Sequence, residues 1–242
     1  MKRILALSAL LVLTSLFTPG LEAGPFKKNP AKLDERILKS ADRLAAMQAD
    51  PKKRIPASLL NQARGIIILH KVKAGLGIGG EAGNGVALVR DEKTRQWSAP
   101  AFISSAEGSY GLQFGAQESD MILLLMNDAG LKPLMGGNFN IGVDVEAAVG
   151  PADGGAAIDS STINAPILVY SNSGGLFAGA AFKGGGILPA KKNNEVYYRT
   201  HLPQILFERK IKPSQSGQTL IETIKQFSGE GQQTKPQTST GY

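Results

Sequence analysis

Between Ala31 and Gln48 the apolar positions recur at helical spacing. Leu33, Ile37, Ala41, Leu44 and Gln48 form one stripe, with Leu38 and Ala45 beside it, and Lys32, Arg36, Lys39 and Arg43 line the opposite face. Asp50-Pro51 ends this helix, the basic cluster Lys52-Lys53-Arg54 follows, and "PASLLNQA" reads as a short second helix with Pro56 in its first turn. After Arg64 the period changes from helical to extended. "GIIILHKV" and "GVALVRD" read as strands, "DEKTRQ" as a polar connection, and "WSAPAFISSAEG", "SYGLQFGAQ" and "DMILLLMND" as further strand material. A short helix is predicted at "AGLKPLMGG", alternating strand at "FNIGVDVEAAVG", and apolar, glycine-rich strand at "APILVYSNS" and "GLFAGAAFKGGGI". Helical spacing returns at "NNEVYYRT", "LPQILFERK" and "GQTLIETIKQFSG", where Leu220, Ile224 and Phe227 repeat.

Strands that succeed one another without long helices between them predict antiparallel pairing. The expected fold is therefore α+β, a glycine-rich antiparallel sheet or barrel flanked by N- and C-terminal helices. The first helix has two readings: a surface helix that lays its leucine stripe on the core, or a helix that lies on a membrane.

The glycine-rich stretch "KVKAGLGIGGEAGNGV" contains a G-x-G-x-x-G spacing at Gly75, Gly77 and Gly80. A dinucleotide site needs a helix directly after such a loop and an acidic residue about 20 positions on. Here the following "EAGNGVALVR" is strand-like, and Asp91-Glu92 comes too early. No G-K-[ST] follows, nor the His-Arg-Asp and Asp-Phe-Gly of a kinase. Nucleotide binding is not expected. Gly75, Gly77, Gly79, Gly80, Gly83 and Gly85 are expected to form a turn where the chain bends or another backbone comes close.

Composition adds a compartment and a charge pattern. Residues 1–23 have a basic start, an apolar run from Ile4 to Phe17 and small residues leading to Ala23. This reads as a secretory signal peptide cut before Gly24, followed by a single domain over 24–228 and a disordered tail over 229–242. Zero cysteines exclude disulfides and an acylated N-terminal cysteine, so no lipoprotein anchor of that kind is expected. Formal net charge is +7, and it is unevenly placed: residues 24–54 and 183–242 each carry nine Lys/Arg against four Asp/Glu, while 55–182 carry seven against eleven. Basic ends around an acidic middle point to an anionic partner.

Recognised catalytic or metal spacings are missing. His70 and His201 stand apart, no G-x-S-x-G occurs, and neither a metal nor another cofactor is expected. Asp144 and Glu146 fall on one face of an alternating segment, which fits a solvent-facing strand as well as a carboxylate pair. Basic residues without interleaved aromatics or a known motif give no reason to expect nucleic acid. Lys71 and Lys73, on one side of a strand beside the glycines, could hold a phosphate head group or guard a strand edge.

The stretch "GIIILHKVKAGLGIGGEAGNGVALVRDEKTRQWSAPAFISSAEGSYGLQFGAQESDMILLLMND", with "FNIGVDVEAAVGP" and "YSNSGGLFAGAAFKGG", resembles the SYLF domain. The marks are the glycine-rich stretch Gly75 to Gly85, Trp97-Ser98-Ala99-Pro100, Gly111-Leu112-Gln113, Gly150-Pro151 and Tyr170-Ser171, and the likeness runs from about Leu33 to about Tyr198. The resemblance implies non-enzymatic binding of anionic phospholipid, phosphoinositides in eukaryotic members, through an amphipathic N-terminal helix and basic residues. Carried onto this chain, the candidates are Lys32, Arg36, Lys39, Arg43, Lys52, Lys53, Arg54, Lys71 and Lys73. With the leader, it implies an exported protein, periplasmic or extracellular, peripheral on an envelope membrane. The alternative is a structural or interaction domain that binds an acidic envelope protein or polymer.

Overall fold

The computed structural model describes residues 29–137, 139–141, 143–151, 164–172 and 186–230, with backbone alone at 74–80, 107–116 and 139. The expected signal peptide and residues 231–242 of the expected tail lie outside the described residues.

Helix α1 (Pro30–Ala49) begins where the Asn29 side chain accepts from the Ala31 N–H and Pro30 supplies the first helical residue. Its Leu33, Ile37, Ala41, Leu44 and Met47 are all buried. Gln48, also buried, bonds the Ile55 N–H and carbonyl and so fixes the turn that leads to α2 (Ala57–Gln62). Two strands of equal length follow, β1 (Gly65–Val89) and β2 (Ala101–Leu125), paired antiparallel from Gly65↔Leu125 to Ala87↔Ala101 with one register step between. After α3 (Asp128–Gly136) come β3 (Phe139–Asn140), β4 (Ala147–Val149), β5 (Ile167–Ser171) and β6 (Gly186–Pro189), then α4 (Lys191–Tyr198), α5 (Leu202–Leu206) and α6 (Gln215–Ser228).

The two predicted strands "GIIILHKV" and "GVALVRD" are the two limbs of β1, which doubles back on itself. The Arg90 N–H donates to the Arg64 carbonyl at 2.7 Å, Gly85 lies against the backbone of Ile68 and Leu69, and Gly83 lies against His70 and Lys71. The first limb pairs with the second half of β2 and the second limb with its first half. β2 therefore runs around β1 as an outer hairpin around an inner one. At the top the register steps from Leu76↔Phe114 to Ile78↔Tyr110, so Gly77 alone faces the three residues Gly111-Leu112-Gln113. An outer bend has the longer path. On its far edge β2 pairs with β6 at Ile103–Ala106 and with β5 at Met121–Leu125, and β3 and β4 complete an open sheet. The fold is α+β as expected, but not purely antiparallel, because β4 runs parallel to β5.

Helices cover both faces. Ile66, Ile68, Leu88, Ile122 and Leu124 meet α1, α2 and α6 on one side, while Ile67, Leu69, Val89, Leu123 and Leu125 meet α3 and α5 on the other. This explains the unbroken apolar run "GIIIL": a strand buried on both faces has no polar alternation to show. The segment expected as one alternating strand at "FNIGVDVEAAVG" is instead two short strands around a turn. There the Asp144 carboxylate accepts from the Asn140 N–H at 2.7 Å, so Asp144 and Glu146 do not share a strand face. Among the described residues no helix is long and apolar enough to cross a membrane.

The C-terminal end of α6 is clasped to the β1–β2 connection. The Arg90 side chain, 2% exposed, donates to the Asn61 carbonyl at 2.6 Å and the Arg95 carbonyl at 3.1 Å, stacks 5.3 Å from the Trp97 ring centroid, and pairs with Glu230. Burial first, and the nearby Arg95 charge second, pull this guanidinium down to about 10, which leaves it charged near neutral pH. Composition placed Gly229 and Glu230 in a tail, yet Glu230 is an ion-pair partner within the fold. Glu230→Gln is expected to lower the unfolding free energy by about 1–2 kcal/mol, read from urea denaturation. An unchanged midpoint would remove Glu230 from the clasp.

Candidate functional site

The nine basic residues picked from sequence separate into those that face solvent and those that hold the fold. On α1, Lys32 is exposed, and Lys39, 58% exposed, pairs with Glu35 at 2.7 Å. The Lys39 hydrogen bond and charge hold the Glu35 carboxyl below its ordinary range. Arg36 is half-buried with its guanidinium 6.0 Å from the Phe102 ring centroid, and burial, then repulsion from Arg43, lowers its pKa. Arg43 turns inward, where its Nε donates to Asp120 Oδ1 at 2.7 Å. His70 Nδ1 reaches the same oxygen at 2.9 Å, and Asn172 bonds the other carboxylate oxygen. Arg43 thus fastens α1 to the sheet and is not a surface cation.

Beyond the helix, Lys52 is exposed and Lys53 sits 3.3 Å from Asp50. The Asp50 carboxyl is held low, chiefly by the Lys52 backbone N–H. The Arg54 Nε donates to the Gln48 carbonyl, which ends the helix with a charged donor. Lys32, Lys39, Lys52 and Lys53 therefore form the accessible part of this basic face.

Lys71 corrects the sequence reading. Its side chain is 2% exposed, and its Nζ lies 2.5 Å from the Glu81 carboxylate across the two limbs of β1. Period-two alternation put Lys71 and Lys73 on one side, but that side is covered at Lys71, so this ammonium cannot meet a head group. Lys73, one step further out, is half-buried.

The glycines at 75, 77, 79, 80, 83 and 85 all lie within β1, in and beside the stretch where it doubles back, and not in a turn between two separate strands. At Gly83 an added Cβ would sit 2.2 Å from Ser105 Oγ and 3.0 Å from Lys71 Cγ. Its missing side chain is the room through which the Lys71 stem passes to Glu81. Close approach of backbones, one of the two roles expected for this stretch, is what the geometry at Gly83 and Gly85 shows.

The idea that the apolar face of α1 enters a bilayer also fails on packing. Leu33, Ile37, Leu44 and Met47 are at most 4% exposed. Re-exposing them forfeits roughly 1.5–3 kcal/mol each, together comparable to the whole net stability of a typical domain. Insertion could at best return what detachment costs.

Two polar clusters escaped the sequence reading. Asp34, on the edge of the α1 stripe, accepts from Tyr197 Oη and from Ser216 Oγ at 2.6 Å, and Tyr197 Oη also bonds Ser214 Oγ at 2.8 Å. This knot joins α1, α4 and α6, and burial, then the Asp34 contact, raises the Tyr197 pKa. The second lies on the α3 and α5 side, where Lys191 and His201 border an open cleft with Met135, Pro189, Leu202 and Pro203. Among the described residues no group of three or more His, Asp or Glu could hold a metal ion.

Comparison with known proteins agrees with the resemblance. Residues 106–227 match the Ysc84 family, described as "Las17-binding protein actin regulator". SH3 domain-containing YSC84-like protein 1 of Bos taurus and of Homo sapiens are each 31% identical over 207 residues, covering 83% of this chain and 59% of the relative. Protein YSC84 of Saccharomyces cerevisiae is 32% identical over 149 residues, 60% of this chain and 31% of that protein. The chain thus spans about 59% of the length of the cattle and human relatives. No solved structure matches. With half of its length matched by the family's profile and the glycine-rich strand pair at its centre, the chain belongs to the Ysc84, or SYLF, domain family.

Proposed function

We propose that this protein is exported and binds anionic phospholipid at the cell envelope without catalysing a reaction, using the exposed lysines of α1 and the turn after it. One observation carries the reading: α1 is fixed to the core by its apolar stripe while Lys32, Lys39 and Lys52 stay in solvent and Lys53 is partly exposed. The contact is then electrostatic and rigid, a charged face laid on a surface. Each such side chain contributes about 1 kcal/mol beside an anionic leaflet. Glu35, Asp42 and Asp50 offset part of it. Attachment of this strength is reversible and weakens with salt.

The test is co-sedimentation with vesicles of phosphatidylcholine alone and of phosphatidylcholine with phosphatidylglycerol, at fixed salt. The wild type is expected to pellet with the anionic vesicles only. The variant K32Q/K39Q/K52Q/K53Q is expected to lose about 4 kcal/mol, roughly a thousandfold in affinity, because it removes about four such contributions, with its thermal unfolding unchanged. Equal pelleting of variant and wild type would remove this face from the account.

The family description favours a second reading, a protein partner for the same basic face. Failure to pellet with either vesicle, together with capture of an acidic partner that the quadruple variant no longer captures, would establish it instead.

A further inference from the structure

The end of α3, the end of β6 and the starts of α4 and α5 frame an open cleft of about 460 Å³, within the range of small-molecule sites. Its walls are of two kinds. Met135, Pro189, Leu202 and Pro203 give an apolar surface, and Met135 is 58% exposed there. Lys191 and His201 give two nitrogen donors, and among the described residues no carboxylate lines the cleft. The His201 ring is 66% exposed, with the Glu195 carboxylate 3.7 Å from its Nδ1. Lys191 is exposed and has no acidic partner among the described residues.

A solvated lysine on an open helix face needs no partner. A lysine on the wall of an apolar cleft, with no carboxylate among the described residues of that wall, leaves a positive potential that a ligand of opposite sign can fill. The apolar walls select what else the ligand must carry, and the unbranched Met135 side chain can repack around it. We propose that this cleft binds a small organic anion with an apolar body, an alkyl or aryl carboxylate or phosphate monoester. The anionic group sits at Lys191 and His201, and the body lies against Met135, Pro189, Leu202 and Pro203. The cleft shares no residue with the lysines of the vesicle-binding face, so this site and that face can fail separately.

The full chain, labelled with carbon-13 at its methionine methyl groups, gives a direct readout. Octanoate and octyl phosphate are the probes, 1-octanol the neutral counterpart, and inorganic phosphate the bodiless anion. Octanoate or octyl phosphate is expected to shift the Met135 methyl saturably while Met47 and Met121, 3% and 1% exposed, stay in place. Octanol and inorganic phosphate are expected to bind at least roughly tenfold more weakly, and Lys191→Gln to weaken octanoate by a similar factor. Lys191 is exposed, so this variant is expected to unfold like the wild type. No saturable Met135 shift, octanol binding equal to octanoate, or undiminished binding by Lys191→Gln would each overturn the proposal.

Discussion

Gly85→Ala is expected to lose about 3 kcal/mol or more of unfolding free energy, or to fail to accumulate as folded protein. A Cβ at this position would stand 1.9 Å from the Ile68 carbonyl oxygen and 3.0 Å from Leu69 Cα. Both are backbone atoms of the other limb of β1, held by pairing to β2 at Ile68↔Ile122 and Leu69↔Met121. No rotamer change can relieve such a contact, so the limbs must part and the core on both sheet faces must loosen with them. Gly136→Ala is the control: nothing lies within 4 Å of its added Cβ, and the expected change is within about 0.5 kcal/mol. Urea unfolding of the two variants decides the matter, and equal midpoints would mean that the limbs of β1 do not lie as close as described.

Lys71→Gln is expected to act on stability, where Lys39→Gln acts only on surface charge. Removing the Lys71 ammonium leaves the Glu81 carboxylate, 12% exposed, short of a buried counter-charge, and breaking such a pair from one side typically costs about 3–5 kcal/mol. Lys39 and Glu35 are both more than half exposed, so their pairing contributes about 0.5 kcal/mol or less. Denaturation curves should separate the two lysines sharply. If Lys71→Gln kept wild-type stability but lost vesicle binding, Lys71 would return to the list of head-group ligands.

The contrast between these lysines shows what sequence could and could not supply. The α1 stripe was legible because Leu33, Ile37 and Leu44 repeat with the helix period and the core buries that period. Lys71 was not, because alternation assigns a face without saying what covers it, and its cover includes a limb of its own strand ten residues on. The doubling of β1 was half legible. Two apolar runs with glycines between them were read as strands and a turn, but nothing local shows that the pairing continues into the bend or that β2 encloses it. Arg43 gave no sign of its inward partner, since Asp120 is 77 residues away. The cleft was hidden for the same reason, with Met135, Lys191 and His201 brought together only by packing. A weak signal existed in Gly136-Gly137, Pro189 and Pro203, which punctuate the ends of the elements that frame it.

The enclosure of one hairpin by another also constrains the order in which the chain can fold. The limbs of β1 meet across a short loop, whereas the outermost pairing joins Gly65 to Leu125, sixty positions apart. Closing the longer loop costs more chain entropy, and the second half of β2 has no edge to pair with until the first limb of β1 is in place. The first half of β2 joins the second limb of β1 at Ala87↔Ala101, fourteen positions apart, so the late addition is the second half of β2 along the first limb. A topology so dependent on distant pairings places this domain among slow folders. Its two-faced apolar strands stay exposed until α1 and α6, from opposite ends of the described chain, arrive to cover them. During that interval the unfinished sheet is open to pairing with another copy of itself.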